Sequence, residues 1–211
     1  MEEFCVDADV QKREVSGTLN LGVIDATITD PACPLKRTTQ RFVQRGHEVH
    51  LHVYIGTPAE LEERVLDGRL HLAIGHFPLR VPGLTYAPLY QEKHGFYCGR
   101  HHSLFGSQGA KVNLLERIAA SRVVARGYLQ HRDLQALGAD RAAATVDNIE
   151  AQAMLILSGA YVGFLPEHYA RQWVVSDDLE HLEPGRLRLL SAFEVITRRG
   201  VAPPLILRAF V

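Results

Sequence analysis

Four short segments of this chain set hydroxyls, backbone amides or a guanidinium where a strand ends or a helix begins. They are residues 25–29, Gly56-Thr57, Arg126-Gly127-Tyr128 and residues 145–148, and His76 closes a further apolar stretch in the same way. In an open parallel sheet, the loops beyond the carboxyl ends of the strands form the ligand rim, and helix N-termini there point unpaired amides outward. Arg126 can supply charge and Tyr128 a flat wall, while Thr57 can donate through its hydroxyl and through the amides of the helix it begins. That set suits a small anion, usually a carboxylate. Thr57 and Asn148 have a plainer use as well, since either residue caps a helix with no ligand present. Asp25 and Asp30 in the first segment repel a carboxylate unless they point away.

The elements that must hold these residues follow from apolar periodicity. Residues 18–24 alternate as a strand, 32–45 read as a helix, and 48–55 form a strand with Val49, Leu51, Val53 and Ile55 on one face and His50, His52 and Tyr54 on the other. The stretch from Gly56 to Gly75 is a loop, a short helix and a buried strand. Thr57 is its N-cap, Pro58 its first helical residue, Leu61, Val65 and Leu66 its apolar stripe, and Gly68 its stop. The resulting β-α-β-α-β order implies a parallel sheet with right-handed crossovers. Residues 77–83, rich in proline and glycine, mark a connection. The pattern then restarts, with strands at 84–90, 95–98 and 122–125, and a polar loop at 99–111. Asn113 caps a short helix through 118. Thr145 and Val146 lead into a helix at 148–158, and a strand at 161–165 ends at Pro166 before a last full helix to about 174. Residues 187–198 and a short helix at 204–210 are too little to stand as a domain. The helix at 148–158 carries Ala153-Met154-Leu155-Ile156-Leu157, apolar on every side, so one sheet face cannot cover it.

Gly56-Thr57-Pro58-Ala59-Glu60-Leu61 followed by Asp67-Gly68-Arg69-Leu70-His71-Leu72-Ala73-Ile74 resembles the effector-binding domain of LysR-type bacterial transcriptional regulators. Further landmarks are Gly17-Thr18-Leu19-Asn20-Leu21-Gly22, Pro82-Gly83-Leu84 with Pro88-Leu89-Tyr90, and Ser158-Gly159-Ala160-Tyr161-Val162-Gly163-Phe164-Leu165-Pro166. The resemblance implies an α/β fold of two Rossmann-like subdomains joined by hinge strands, of the type 2 periplasmic-binding-protein kind. Residues 17–88 and 191–211 would form the first subdomain, 89–190 the second, and 1–16 a linker remnant. It implies a small-molecule effector between the lobes and a homodimer or tetramer, with the 148–158 helix packed on helix 32–45 of a second subunit. DNA would be reached only through a winged helix-turn-helix that this stretch lacks. Matched to the family, Thr57 is the firmest effector contact, and a longer first loop leaves either Thr27 or Thr29 as the hydroxyl there. His76, Arg126, Tyr128 and Asn148 complete the expected site. A transporter's periplasmic solute-binding protein shares the fold and is the alternative.

Charge and composition exclude several other classes. A formal net charge of −1 offers no basic surplus to displace counterions from phosphate, so the chain is not expected to bind DNA unaided. Cys5, Cys33 and Cys98 show no C-x-x-C spacing and read as reduced thiols. The first residues lack the basic and apolar regions of a signal peptide, and no apolar run approaches a membrane span, so a cytoplasmic location is expected. No G-x-S-x-G, P-loop or G-x-G-x-x-G occurs, and neither catalysis nor a cofactor is expected. His47, His50, His52 and His101-His102 lack a carboxylate or thiol at ligand spacing, which argues against a metal site.

Overall fold

Strand β1 (Ser16–Val23) pairs in parallel with β2 (Glu48–Ile55) on one side and β3 (Leu72–His76) on the other. Helix α1 (Leu35–Gln44) crosses from β1 to β2, and α2 (Pro58–Leu66) from β2 to β3, which is the expected β-α-β-α-β unit. The computed structural model describes residues 15–46, 48–107, 114–130 and 132–211; most of the expected linker remnant, His47 and the Asn113 cap lie outside these. Every position of β3 is buried, as an apolar run inside a parallel sheet must be. Leu61 and Val65 of α2 are fully covered in the same core. Among the described residues β2 pairs with β1 alone, and its apolar face stays partly open, with Val53 50% and Ile55 64% exposed.

Two long strands carry the sheet into the second half of the chain. Strand β4 (Leu84–Gly99) runs antiparallel to β9 (Arg188–Arg198) from Leu84↔Arg198 to Gly95↔Arg188, with a shift in register between Pro88 and Tyr90. The sequence suggests separate strands at 84–90 and 95–98. They are one strand because the irregularity absorbs Pro88, which has no amide for the ladder, and β9 backs the whole length. Strand β9 also pairs antiparallel with β3, so the order is β2-β1-β3-β9-β4, continued by β7 (Val162–Pro166), with β8 (Leu179–Leu182) also on β4.

The second half departs from an all-parallel reading, since β7 and β8 both run antiparallel to β4. A short ribbon of β5 (Val124–Arg126) and β6 (Ala144–Val146) is parallel, and Thr145 and Val146 end that strand just ahead of the Asn148 cap of the next helix. Helices α3 (Leu114–Ala119), α4 (Arg132–Leu137), α5 (Ile149–Leu157) and α6 (Glu167–Val175) surround these strands, and α7 (Leu205–Phe210) returns to the first core. There Phe210 meets Phe42 edge-on at 5.3 Å, while Phe96 and Phe164 pack at 4.9 Å in the second core. A third cluster fixes α5 through Ile149, Ala153 and Ile156. Gly99 is required beside it: a Cβ there would stand 2.3 Å from the carbonyl oxygen of Ile156.

Candidate ligand-binding site

The carboxyl ends of β1, β3 and β5 and the first turn of α5 converge on one small cavity, whose walls include apolar Ile24, Ile149 and Phe193. Asp25, His76, Arg126 and Tyr128 face it, with Glu92 of β4 and Ser191 of β9 across the ladder from one another. The cavity is narrow, with room for about one water molecule.

Arg126 is the last residue of β5 and is only 3% exposed. Its backbone amide donates to Oδ2 of buried Asp133 at 3.0 Å, which holds the turn out of the strand. Its guanidinium donates to the Tyr128 hydroxyl at 3.4 Å and to Nδ1 of His94 at 3.2 Å, and Nε has no partner. Among the described residues, no carboxylate lies within ion-pair distance of it. A buried guanidinium without a counter-ion is a costly arrangement that an incoming anion would relieve.

Asp25 follows β1 and accepts the backbone amide of Ile149, the first residue of α5, so it ties the two halves of the chain together. Burial pushes its carboxyl up, and the Ile149 hydrogen bond and the Arg126 charge draw it back only in part. The next residue, Ala26, is held in the left-handed region at φ 61°, an uncommon conformation for a residue with a Cβ. His76 at the end of β3 lies 3.0 Å from the carbonyl of Ala192 through Nδ1 and 3.5 Å from Arg132 through Nε2. A carbonyl only accepts and a guanidinium only donates, so the ring hydrogen sits on Nδ1. Burial, followed by the charges of Arg132 and Arg126, keeps His76 below the usual histidine range.

Behind the cavity, Glu92 joins two histidines. Its carboxylate lies 2.7 Å from Nε2 of His94, off the line of that N–H, and 3.0 Å from Nε2 of His168 on α6. Burial works to raise the Glu92 carboxyl, but the two histidine contacts outweigh it and hold the group well below its ordinary value. His168 in turn reaches the loop after β1, with Nδ1 2.8 Å from the Thr29 hydroxyl and Nε2 3.5 Å from Asp30. Donor atoms of Asp30, Glu92 and His168 all lie within 4.8 Å of one another, close enough to share a cation. In this arrangement the imidazole itself bridges the carboxylates.

Of the residues named from sequence, His76, Arg126 and Tyr128 meet at the cavity, and Thr27, Thr29, Thr57 and Asn148 are not among its lining residues. Thr27 is buried in the 3-10 turn Thr27–Thr29, and Thr29 is turned to His168. Thr57 is spent on a capping box: it accepts from the Glu60 amide, while its own amide and hydroxyl donate to the Glu60 carboxylate at 2.8 and 2.9 Å. Asn148 caps α5 by accepting from Ala151 at 2.7 Å. Sequence reasoning missed Glu92, His94 and His168. A usable signal existed for two of them: Glu92 and His94 alternate with Lys93 in phase with Phe96 and Cys98, so they face the interior.

The LysR substrate binding domain family matches residues 12–211. The chain is 34% identical to the HTH-type transcriptional activator BauR of Pseudomonas aeruginosa over 219 residues, spanning 100% of this chain and 69% of that protein. The fold is shared with the cofactor-binding domain of the Cbl transcriptional regulator (TM-score 0.71, 18% identity, 93% of this chain and 89% of that one). It is shared equally with the effector-binding domain of QuiR in complex with shikimate (TM-score 0.71, 14% identity, 92% and 93%). Full-length CbnR complexed with its target DNA superposes at a TM-score of 0.65, with 21% identity over 95% of this chain and 71% of that one. On the family match and the identity with BauR, the chain belongs to the LysR substrate-binding domain family, the ligand-sensing part of LysR-type transcriptional regulators rather than a transporter's solute-binding protein.

Proposed function

We propose that a small molecule bearing a carboxylate binds in the cavity at Arg126 and shifts the balance between two arrangements of the lobes. The observation that carries this reading is the buried guanidinium with an unpartnered Nε and, among the described residues, no carboxylate within ion-pair distance. A carboxylate there would gain charge-assisted hydrogen bonds, and Tyr128 would wall one side. The cavity holds only about one water, so the lobes part to admit the ligand and close on it. Residues 17–88 with 191–211, and residues 89–190, are the two bodies that move, with β4 and β9 as hinges.

The change passes through a homodimer or tetramer to a helix-turn-helix domain outside this chain, and the protein acts in the cytoplasm as a sensor without catalysis. Met154 of α5, 64% exposed, and Val43 of α1, 60% exposed, support a subunit contact through those helices. Coupling of about 1–3 kcal/mol between effector and DNA is enough for regulation. A thermal-shift screen of small acids, followed by calorimetry, tests the site. Arg126→Ala should weaken the hit roughly 30-fold or more, as loss of one partner of a buried charge pair does. Undiminished binding by that variant would contradict the assignment.

A further inference from the structure

We propose that the molecule the cleft accepts is a small zwitterion, with its carboxylate on Arg126 and its ammonium group on Asp25. The inference rests on the cleft being the ligand site, and it names the chemical class that site selects.

Asp25, Glu92 and Arg126 all line this cavity, and among the described residues neither Asp25 nor Arg126 has an ion-pair partner. Arg126 donates only to neutral partners, the Tyr128 hydroxyl and His94 Nδ1, and keeps Nε unused although it is nine-tenths buried. Asp25 accepts one backbone amide, from Ile149, and forms no ion pair among the described residues. The two groups do not satisfy one another, since no Arg126–Asp25 contact falls within ion-pair distance. A plain carboxylic acid would complete Arg126 and leave an uncompensated anion beside its own charge. A plain amine would do the reverse. A molecule carrying both groups a few bonds apart completes both, and this explains why an acidic residue stands in an anion-binding rim at all. Glu92 does not compete for the ammonium group, because its oxygens already face His94 and His168.

Isothermal calorimetry on the full chain decides the matter, with three probe sets of matched carbon skeleton: short amino acids with differing spacing between the two groups, the corresponding acids without the amine, and the corresponding amines without the acid. The expected result is that one amino acid binds at least about 10-fold more tightly than its acid or its amine. Asp25→Asn keeps the shape and the acceptor for Ile149, and it should bring the amino acid down to the affinity of the plain acid. Arg126→Gln should abolish binding of both. If the plain acid binds as tightly as the amino acid, or Asp25→Asn leaves the ratio unchanged, the zwitterion inference is overturned while an Arg126-dependent carboxylate site stands. If the hit binds equally well to Arg126→Gln, the cleft reading itself fails. Absence of heat from all three sets at millimolar concentration overturns both. Thermal melting of the unliganded variants separates lost binding from lost folding.

Discussion

The guanidinium of Arg126 and the imidazole of His94 meet at 3.2 Å, and this contact fixes the state of the polar network behind the cleft. Because the guanidinium can only donate, Nδ1 of His94 accepts, and the ring hydrogen sits on Nε2, toward Glu92. Burial, and then the Arg126 charge, drive His94 down to about 4 against the pull of Glu92, with His76 also facing it. The histidine is therefore held neutral between Arg126 and Glu92.

Stability should fall in mild acid. A histidine held below its ordinary 6.5 binds fewer protons folded than unfolded, so its contribution is present above 6.5 and is lost as pH drops toward 4. His76, also lowered, acts in the same sense. Between neutral pH and about pH 5 the loss should be on the order of 1–2 kcal/mol, seen as a falling Tm at constant ionic strength. His94→Gln should flatten that slope. A Tm independent of pH across this range would contradict a neutral, buried His94.

Asp25→Asn should raise the melting temperature of the unliganded protein at neutral pH by a few degrees. The Asp25 carboxyl is pushed up from 3.8, so its favourable contribution exists at low pH and is lost as pH rises through the folded value. Removing the charge removes that cost, and the gain should vanish in acid. Stabilisation that is constant with pH would point to some other origin.

Thr57→Val should lower stability by about 1 kcal/mol, because it takes away the hydroxyl of the capping box on α2. Its effect on effector affinity should be small beside that of Arg126→Ala. An unchanged melt together with a large loss of binding would return Thr57 to the ligand.

Gly99→Ala should cost about 1–3 kcal/mol, since the new methyl would meet the Ile156 carbonyl at 2.3 Å and the helix would have to move. Chemical denaturation measures this directly. A neutral result would mean that α5 sits farther from β4.

The exposed and buried sides of α5 give a test of assembly. Met154→Glu should leave the fold intact and dissociate the proposed dimer in sedimentation, whereas Ile156→Glu buries an unpaired charge and should unfold the chain. A Met154→Glu protein that remains dimeric would remove α5 from the interface.

Periodicity made the first half of the fold legible. Thr57, Pro58 and Gly68 bound α2, and the apolar run into β3 reads as a buried strand without further help. The second half was harder, because its elements are short and its strand directions mixed. The continuity of β4 is hidden by Pro88 and by the polar Glu92-Lys93-His94 step, and α4 and β6 are too short for a period to show. Arg126, Tyr128 and His76 could be chosen from their places at strand ends. The Glu92–His168–Asp30 contacts join three segments far apart in sequence, and no local pattern announces them. Thr57 and Asn148 show the opposite difficulty, since a capping residue and a ligand contact have the same local signature.

A crystal structure of the chain with the tightest small acid or amino acid from the screen would locate the bound anion directly. The ligand carboxylate should lie against the Arg126 guanidinium, within hydrogen-bond reach of Nε and beside Tyr128, with the lobes displaced relative to the unliganded form. A ligand bound at the Thr57 rim or elsewhere on the surface, with Arg126 still lacking an anion, would contradict that placement.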